Sequence, residues 1–302
     1  MYLESFRLPI YREDAMLKDK AFRNGGLYNP YIDNPYPCGL FSVKELEEIT
    51  FKNITVFYGG NGSGKSTLLN LIAEKMKLNR VSPYNSGEMF DIYASECEFS
   101  LGYDEEGFPY RIPNGSRIIT SDDIFDYMLT IRTNNEHISE NKEEARKDWK
   151  RLKYGETVKF NGLDDYEERR TQMLARKKSV TRRQFIKRIA GHETELISNG
   201  ETALNYFEKK LKNDTLYCLD EPENSMSPKM QLEFVGMLEK LAHYCGCQFI
   251  IATHSPFILA MQGARIYDLD MKPVEIRNWW ELENTKIYYD FFRKNSHLFE
   301  KD

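Results

Sequence analysis

Three short apolar runs, Ile54–Tyr58, Thr215–Leu219 and Gln248–Ala252, stand between polar or glycine-rich boundaries. Their length and β-branched or aromatic content predict buried strands. Leu68, Leu69, Leu71, Ile72 and Ala73 follow the first run at helical spacing, Thr202 to Leu211 reads as an amphipathic helix before the second, and a helix from Pro228 to about Tyr244 separates the second and third. Strand, helix, strand at this spacing predicts parallel pairing through a crossover. Residues 1 to about 58 read instead as short strands and turns, with a Gly/Asn/Pro-rich stretch at 24 to 39. Met89–Tyr93 and Cys97–Tyr103 alternate around Asp104-Glu105-Glu106-Gly107, which predicts a hairpin.

From Ser121 the pattern changes. Ser121-Asp122-Asp123 reads as a helix cap before Ile124-Phe125, and the next sixty or so residues are highly charged with few β-branched side chains. The expected fold is α/β, with a mainly parallel sheet, N-terminal antiparallel strands and a mostly helical insertion. The expected division is a first half of one lobe at 1–120, the insertion at 121–195, and the second half of the lobe at 196–302.

The composition is that of a globular protein, with 41% hydrophobic and 29% charged residues over 302 positions. No run approaches the ~20 apolar residues of a membrane helix, and the N-terminus lacks a signal-peptide core, so a cytoplasmic protein without a membrane partner is expected. Five scattered cysteines with no C-x-x-C pair read as reduced structural thiols. The net charge of −5 hides a segregation: Arg169, Arg170, Arg176, Lys177, Lys178, Arg182, Arg183, Lys187 and Arg188 occur without one acid between 169 and 190. Two readings remain open for this stretch, a face for an anionic partner such as nucleic acid bound without sequence preference, or a solvated helix face.

The chemistry concentrates at the ends of the apolar runs. Gly59, Gly60, Asn61, Gly62, Ser63, Gly64, Lys65 and Ser66 fit G-x-x-x-x-G-K-[ST] at every fixed position, between a predicted strand and a predicted helix that continues through Thr67. Glycines allow the backbone to form a concave nest of N–H groups for phosphate oxygens, and the following helix adds its positive end. Lys65 is expected at the β- and γ-phosphates and Ser66 on Mg²⁺. A dinucleotide reading of the same glycines fails because Lys65 stands where its third glycine belongs. The second run ends in Asp220-Glu221, with Asp220 expected to hold the metal and Glu221 to polarise a water. The third ends in Thr253-His254.

Together the phosphate loop, Leu219-Asp220-Glu221-Pro222-Glu223-Asn224 and Ala252-Thr253-His254-Ser255-Pro256 resemble the ABC-type ATPase superfamily of P-loop NTPases, in particular its soluble Rad50, SMC and RecF-like branch and related stand-alone ATPases. The resemblance covers about 40 to 78 and 195 to 270. It implies ATP and Mg²⁺ as cofactors, slow hydrolysis, and His254 as the γ-phosphate sensor. It also implies a signature segment at Ile197-Ser198-Asn199-Gly200-Glu201, whose Ser198 and Gly200 would bind the ATP held by a second subunit, and a D-loop at Asn224–Ser227. The signature departs from the family at Asn199 and Glu201. The family's metal-contacting glutamine has no counterpart between Ser66 and Gln172, where Ser95 or Glu96 would stand in. Phe22, Tyr28, Tyr31 and Tyr36 are all candidates for stacking on adenine.

What the resemblance implies for partners is a homodimer formed through ATP, with a nuclease or toxin-like effector protein, or DNA, as the object of the cycle in defence or repair. The alternative is an ATPase subunit of a membrane transporter. A GTPase would need Asn-Lys-x-Asp, and Asn141-Lys142-Glu143-Glu144 fails at its last position.

Overall fold

The computed structural model describes residues 1–22, 35–157, 165–191 and 198–299. The chain divides into two compact units, one of residues 1–124 with 199–302 and one of residues 125–198.

The larger unit is α/β. Its main sheet contains β3 (Ile54–Tyr58), β5 (Arg117–Thr120), β6 (Leu216–Asp220), β7 (Gln248–Ala252), β8 (Arg265–Asp268) and β9 (Glu275–Arg277) in the order β5-β6-β7-β3-β8-β9. All neighbours run parallel except the β8-β9 pair. Every residue of β3 and β7 is buried, as a central parallel strand covered on both faces requires. A second sheet of β1 (Leu3–Arg7), β2 (Glu48–Thr50) and β4 (Glu98–Leu101) is antiparallel in the order β2-β1-β4. Gln248 ties the two together: its Oε1 accepts from Tyr2 N and Leu3 N at 3.0 and 2.8 Å, and its Nε2 donates to Leu3 O at 2.7 Å.

Helices α1 (Tyr11–Phe22), α2 (Lys65–Lys75) and α3 (Glu88–Glu96) belong to the first half of this unit. Leu68, Leu69, Leu71 and Ile72 of α2 are fully buried in a core shared with Phe57, Phe90 and Ile250. Two segments differ from the sequence expectation. Residues 11–22 are helical where strands and turns are expected, and Met89–Tyr93 lies inside α3 instead of forming a hairpin strand. Met89, Phe90, Tyr93 and Ala94 are buried together; that one-sided i, i+1, i+4, i+5 spacing suits a helix, and alternation over five residues did not separate the two. The Asp104–Gly107 turn is present, closed by an isolated bridge between Tyr103 and Pro109, while β4 pairs with β1.

The helix α4 (Ser121–Tyr154) leaves the end of β5. Its cap lies one residue earlier than the sequence suggests: Thr120 N donates to Asp123 Oδ2 at 2.8 Å and Asp123 N donates back to Thr120 Oγ1 at 3.4 Å. The smaller unit comprises most of α4 with α5 (Tyr166–Arg176) and α6 (Arg182–Ala190), packed on Trp149, Leu152, Ala175, Val180 and Phe185. The Trp149 and Phe185 rings lie 4.9 Å apart. A capping box of Thr181 and Gln184 starts α6. The chain returns to the larger unit with α7 (Asn199–Lys210), then α8 (Pro228–Tyr244), the short α9 (Pro256–Leu259) and α10 (Glu283–Lys294).

Candidate functional site

The parallel strands β3, β6 and β7 end side by side, so the residues that follow them meet at one edge of the sheet, where open α/β folds place ligands. The loop after β3 is the glycine-rich segment. Gly62 and Gly64 take left-handed φ of 78° and 102°, conformations that favour glycine. Lys65 is buried at the first position of α2, and its Nζ donates to Gly59 O at 2.8 Å and Gly60 O at 3.1 Å. Burial lowers the Lys65 pKa, against the opposing pull of Glu221 and Asp220. Asn61 is exposed and Thr67 buried. The hydroxyls of Tyr36 and Thr67 hydrogen-bond to each other, bringing Tyr36 to the loop. Tyr28, Tyr31 and the Phe22 side chain lie outside the described residues.

Ser66 Oγ, one residue into α2, donates to Asp220 Oδ1 at 3.0 Å across 154 positions of sequence. Burial pushes the Asp220 carboxyl up to about 6; the Ser66 bond opposes this and the neighbouring Glu221 charge adds to it. Glu221 follows with φ of 47°, a left-handed conformation that costs energy in a residue with a side chain. It is held there by Glu221 N donating to Ala252 O at 2.9 Å and Asn224 N donating to Glu221 O at 3.2 Å. Its Oε1 lies 3.7 Å from His254 Nε2, which is buried and has no hydrogen-bond partner among the described atoms. Burial, reinforced by Lys65, lowers the His254 pKa.

The structure adds groups that sequence reasoning passed over. Glu223 Oε1 accepts three bonds from the loop after β7: Thr253 Oγ1 at 2.5 Å, His254 N at 3.0 Å and Ser255 N at 3.2 Å. Gln231 of α8 reinforces the tie, accepting from Ser255 Oγ at 2.6 Å and donating to Met226 O at 3.0 Å. On the other flank, Gly60 N donates to both Asp270 oxygens, at 2.9 and 2.7 Å, and Lys44 Nζ donates to Ser63 O and Leu269 O, each at 2.6 Å. The one sequence signal for Glu223 was a third acid in the run after β6. Asp270 and Lys44 had none, because their contacts exist only through sheet order.

Not every candidate comes to this edge. Lys75 Nζ, at the far end of α2 from Ser66, donates to Ser95 O at 2.7 Å. A helix of eleven residues is about 16 Å long, so Ser95 and the adjoining Glu96 are held away from the loop. Gly200 sits in the first turn of α7, buried against Ser225 and Met230. Ser198 precedes that helix within the smaller unit, and Ile197 lies outside the described residues. In the basic stretch, Arg176 is engaged internally, donating to Leu152 O, Gly155 O and Thr157 Oγ1, while Lys177, Lys178, Arg182, Arg183, Lys187 and Arg188 are exposed.

The donor set suits a magnesium nucleotide. A hydroxyl and a carboxylate converge, and burial holds the carboxylate above its ordinary pKa, an effect that a bound cation would oppose. Among the described residues no cluster of three or more His, Cys, Asp or Glu forms an all-protein metal cage.

Among known protein families, the model described as ABC transporter matches residues 48–224, and one described as an AAA domain, putative AbiEii toxin of a type IV toxin–antitoxin system, matches 202–260. An uncharacterised ABC transporter ATP-binding protein/permease of Saccharomyces cerevisiae is 27% identical over 214 residues, 67% of this chain and 14% of its own length. The small ribosomal subunit biogenesis GTPase RsgA 2 of Bacteroides thetaiotaomicron is 32% identical over 122 residues, 36% of this chain and 38% of its own. The chain thus spans well under half of either curated relative. Among solved structures, the SMC head domain from Thermotoga maritima is 14% identical, covering 92% of this chain and 99% of that one with a TM-score of 0.38. A dimeric ATP-binding cassette bound to ADP and Pi is 16% identical, covering 76% and 88% with a TM-score of 0.35.

Proposed function

The chain belongs to the ABC transporter family of ATP-binding cassettes, and from that premise we propose that it binds ATP with Mg²⁺ and hydrolyses it slowly. The observation that carries the reading is the convergence of Ser66 on Asp220 beside the Glu221–His254 pair and Lys65. Gly59 to Thr67 cradle the phosphates, and Ser66 and Asp220 would hold Mg²⁺, which would supply positive charge against the phosphates. Lys65 leaves its carbonyl partners for the phosphate oxygens. Glu221 Oε1 accepts the proton of the attacking water as the water oxygen bonds to the γ-phosphorus and the bridging oxygen departs with ADP. His254, uncharged at neutral pH because its pKa is lowered, orients that water through Nε2. Glu223 positions His254 through the loop backbone.

In the finer reading the chain dimerises head to tail around two ATP molecules, with Ser198 and Gly200 of one subunit completing the site of the other. The test is Glu221→Gln: it binds ATP without turnover and accumulates as a dimer. Light scattering that shows only monomer with ATP and Mg²⁺ refutes the dimer. Unimpaired hydrolysis by Glu221→Gln refutes the assignment of the base.

The work done by closure is read as control of a partner effector, nuclease or toxin-like, or action on DNA through the exposed basic residues of α6. Phosphate contacts there make DNA affinity fall steeply with salt. A gel shift unchanged on reversing Arg182, Arg183, Lys187 and Arg188 removes the DNA arm. Among the described residues no helix is long and apolar enough to cross a membrane.

A further inference from the structure

Glu221 and His254 also line a cavity of about 630 Å³, and the hydrolytic reading leaves most of its other lining residues without a role. It is lined by the acidic loop after β6, the start of α8, the loop after β7, and α10 with the turn before it. Its size is that of a ligand pocket. Three polar atoms on its lining residues are buried without a hydrogen-bond partner: Glu223 Oε2, His254 Nε2 and Thr285 Oγ1. Thr285 is 8% exposed, and its hydroxyl is buried. Glu223 Oε1 is saturated by Thr253, His254 and Ser255, which leaves Oε2 as a carboxylate oxygen that lacks a donor. The lining residues include two carboxylates and neither Lys nor Arg. The same lining includes the rings of Trp279, Tyr288 and Phe292.

A buried carboxylate oxygen without a donor is unfavourable, and a cation that donates hydrogen bonds relieves it. Aromatic faces add attraction for the same cation. A guanidinium meets both demands, since its planar fork donates in several directions while its face stacks on a ring, whereas an ammonium is a strongly hydrated point charge. The surface around the cavity points to a protein as the source. Along α10, Tyr289 and Phe291 remain 63% and 61% exposed, a concentration of aromatic side chains typical of protein interfaces.

We propose that this cavity receives an arginine side chain of a partner protein, seated against Glu223 and the aromatic lining residues. The occupant would reach the residues that hold His254 without touching the phosphate loop, and so couple a partner to the hydrolytic pair. The inference rests on the cavity and not on turnover, so it is tested in the 302-residue chain without nucleotide. N-acetyl-argininamide is titrated against tryptophan fluorescence, with Trp279→Phe identifying the reporter. N-acetyl-citrullinamide, of the same shape without the charge, is the control. The expected result is saturable binding of the arginine probe near millimolar, the range for a ligand of its size, with citrulline about tenfold weaker. Glu223→Gln, which keeps the acceptor of Thr253, His254 and Ser255, lowers arginine affinity about tenfold and leaves citrulline unchanged; Thr285→Val lowers it severalfold. Absence of saturable binding up to about 50 mM, equal affinities for the two probes, or no effect of either substitution overturns the proposal. ATP hydrolysis by the same preparation, measured separately, reports on the reading of the previous section alone.

Discussion

Asp220 offers the sharpest test of the site's electrostatics. Its carboxyl rises from an ordinary 3.8 to about 6, chiefly because it is buried, while Ser66 Oγ donates only one hydrogen bond to it. At about 1.4 kcal/mol per pH unit, this corresponds to about 3 kcal/mol of instability carried by the ionised side chain. The sign follows from proton uptake. The folded state holds the proton more tightly than the unfolded chain, so stability falls as pH rises from 3.8 towards 6 and the full effect is present above about 6. Asp220→Asn keeps an acceptor for Ser66 and removes the charge. In EDTA at pH 7.5 it is expected to raise the melting temperature by about 5 °C, with a ceiling of about 3 kcal/mol in denaturant titration. The gain shrinks by about half near pH 5 and vanishes below the unfolded carboxyl's pKa. Nucleotide binding with Mg²⁺ is lost in the same variant. A gain of equal size at pH 7.5 and pH 4, or a destabilised variant at pH 7.5, refutes the assignment of the instability to a buried, unneutralised charge.

Further outcomes follow from the neighbouring contacts. Glu223→Ala removes three bonds from the His254 loop and is expected to lower kcat for ATP about 10- to 100-fold with KM within about twofold, while Glu223→Gln recovers most of the rate; steady-state kinetics showing alanine equal to wild type contradicts the positioning role. A Cβ at Gly200 would stand 2.4 Å from Met230 Sδ and 2.9 Å from Ser225 O. The thioether can swing away but the carbonyl is backbone, so Gly200→Ala is expected to destabilise the chain by about 1–3 kcal/mol in denaturant melts, and an unchanged midpoint refutes the close packing. His254, whose pKa burial lowers, should titrate with a midpoint below 6.5 in histidine NMR of the nucleotide-free protein; a midpoint above 6.5 would mean that Glu221 and Glu223 outweigh burial and Lys65.

The parts written locally in this chain were legible without coordinates. Ile54–Tyr58, the glycine-rich loop and α2 form one continuous strand, nest and helix, and Gln248–Ala252 is apolar at every position after the first because it lies in a sheet covered on both faces. Asp220, Glu221 and His254 could be singled out because each terminates such a run. Short amphipathic segments were less legible: α3 buries Met89, Phe90, Tyr93 and Ala94, and five residues of that pattern fit a strand as readily as a helix.

Contacts between distant segments depended on strand order. Ser66 meets Asp220 across 154 residues, and Gly60 meets Asp270 across 210, because the loops after β3, β6 and β8 open at one edge of the sheet. The left-handed Glu221, the three bonds that spend one oxygen of Glu223, and the unpartnered Thr285 hydroxyl likewise arise only when backbone and packing fix each group in place. Sequence alone determined which residue types stand at the strand tips, because local patterning encodes the strands. Tertiary structure decided which of those residues meet, because hydrogen bonds and Coulomb interactions act at ångström distances that only folding sets.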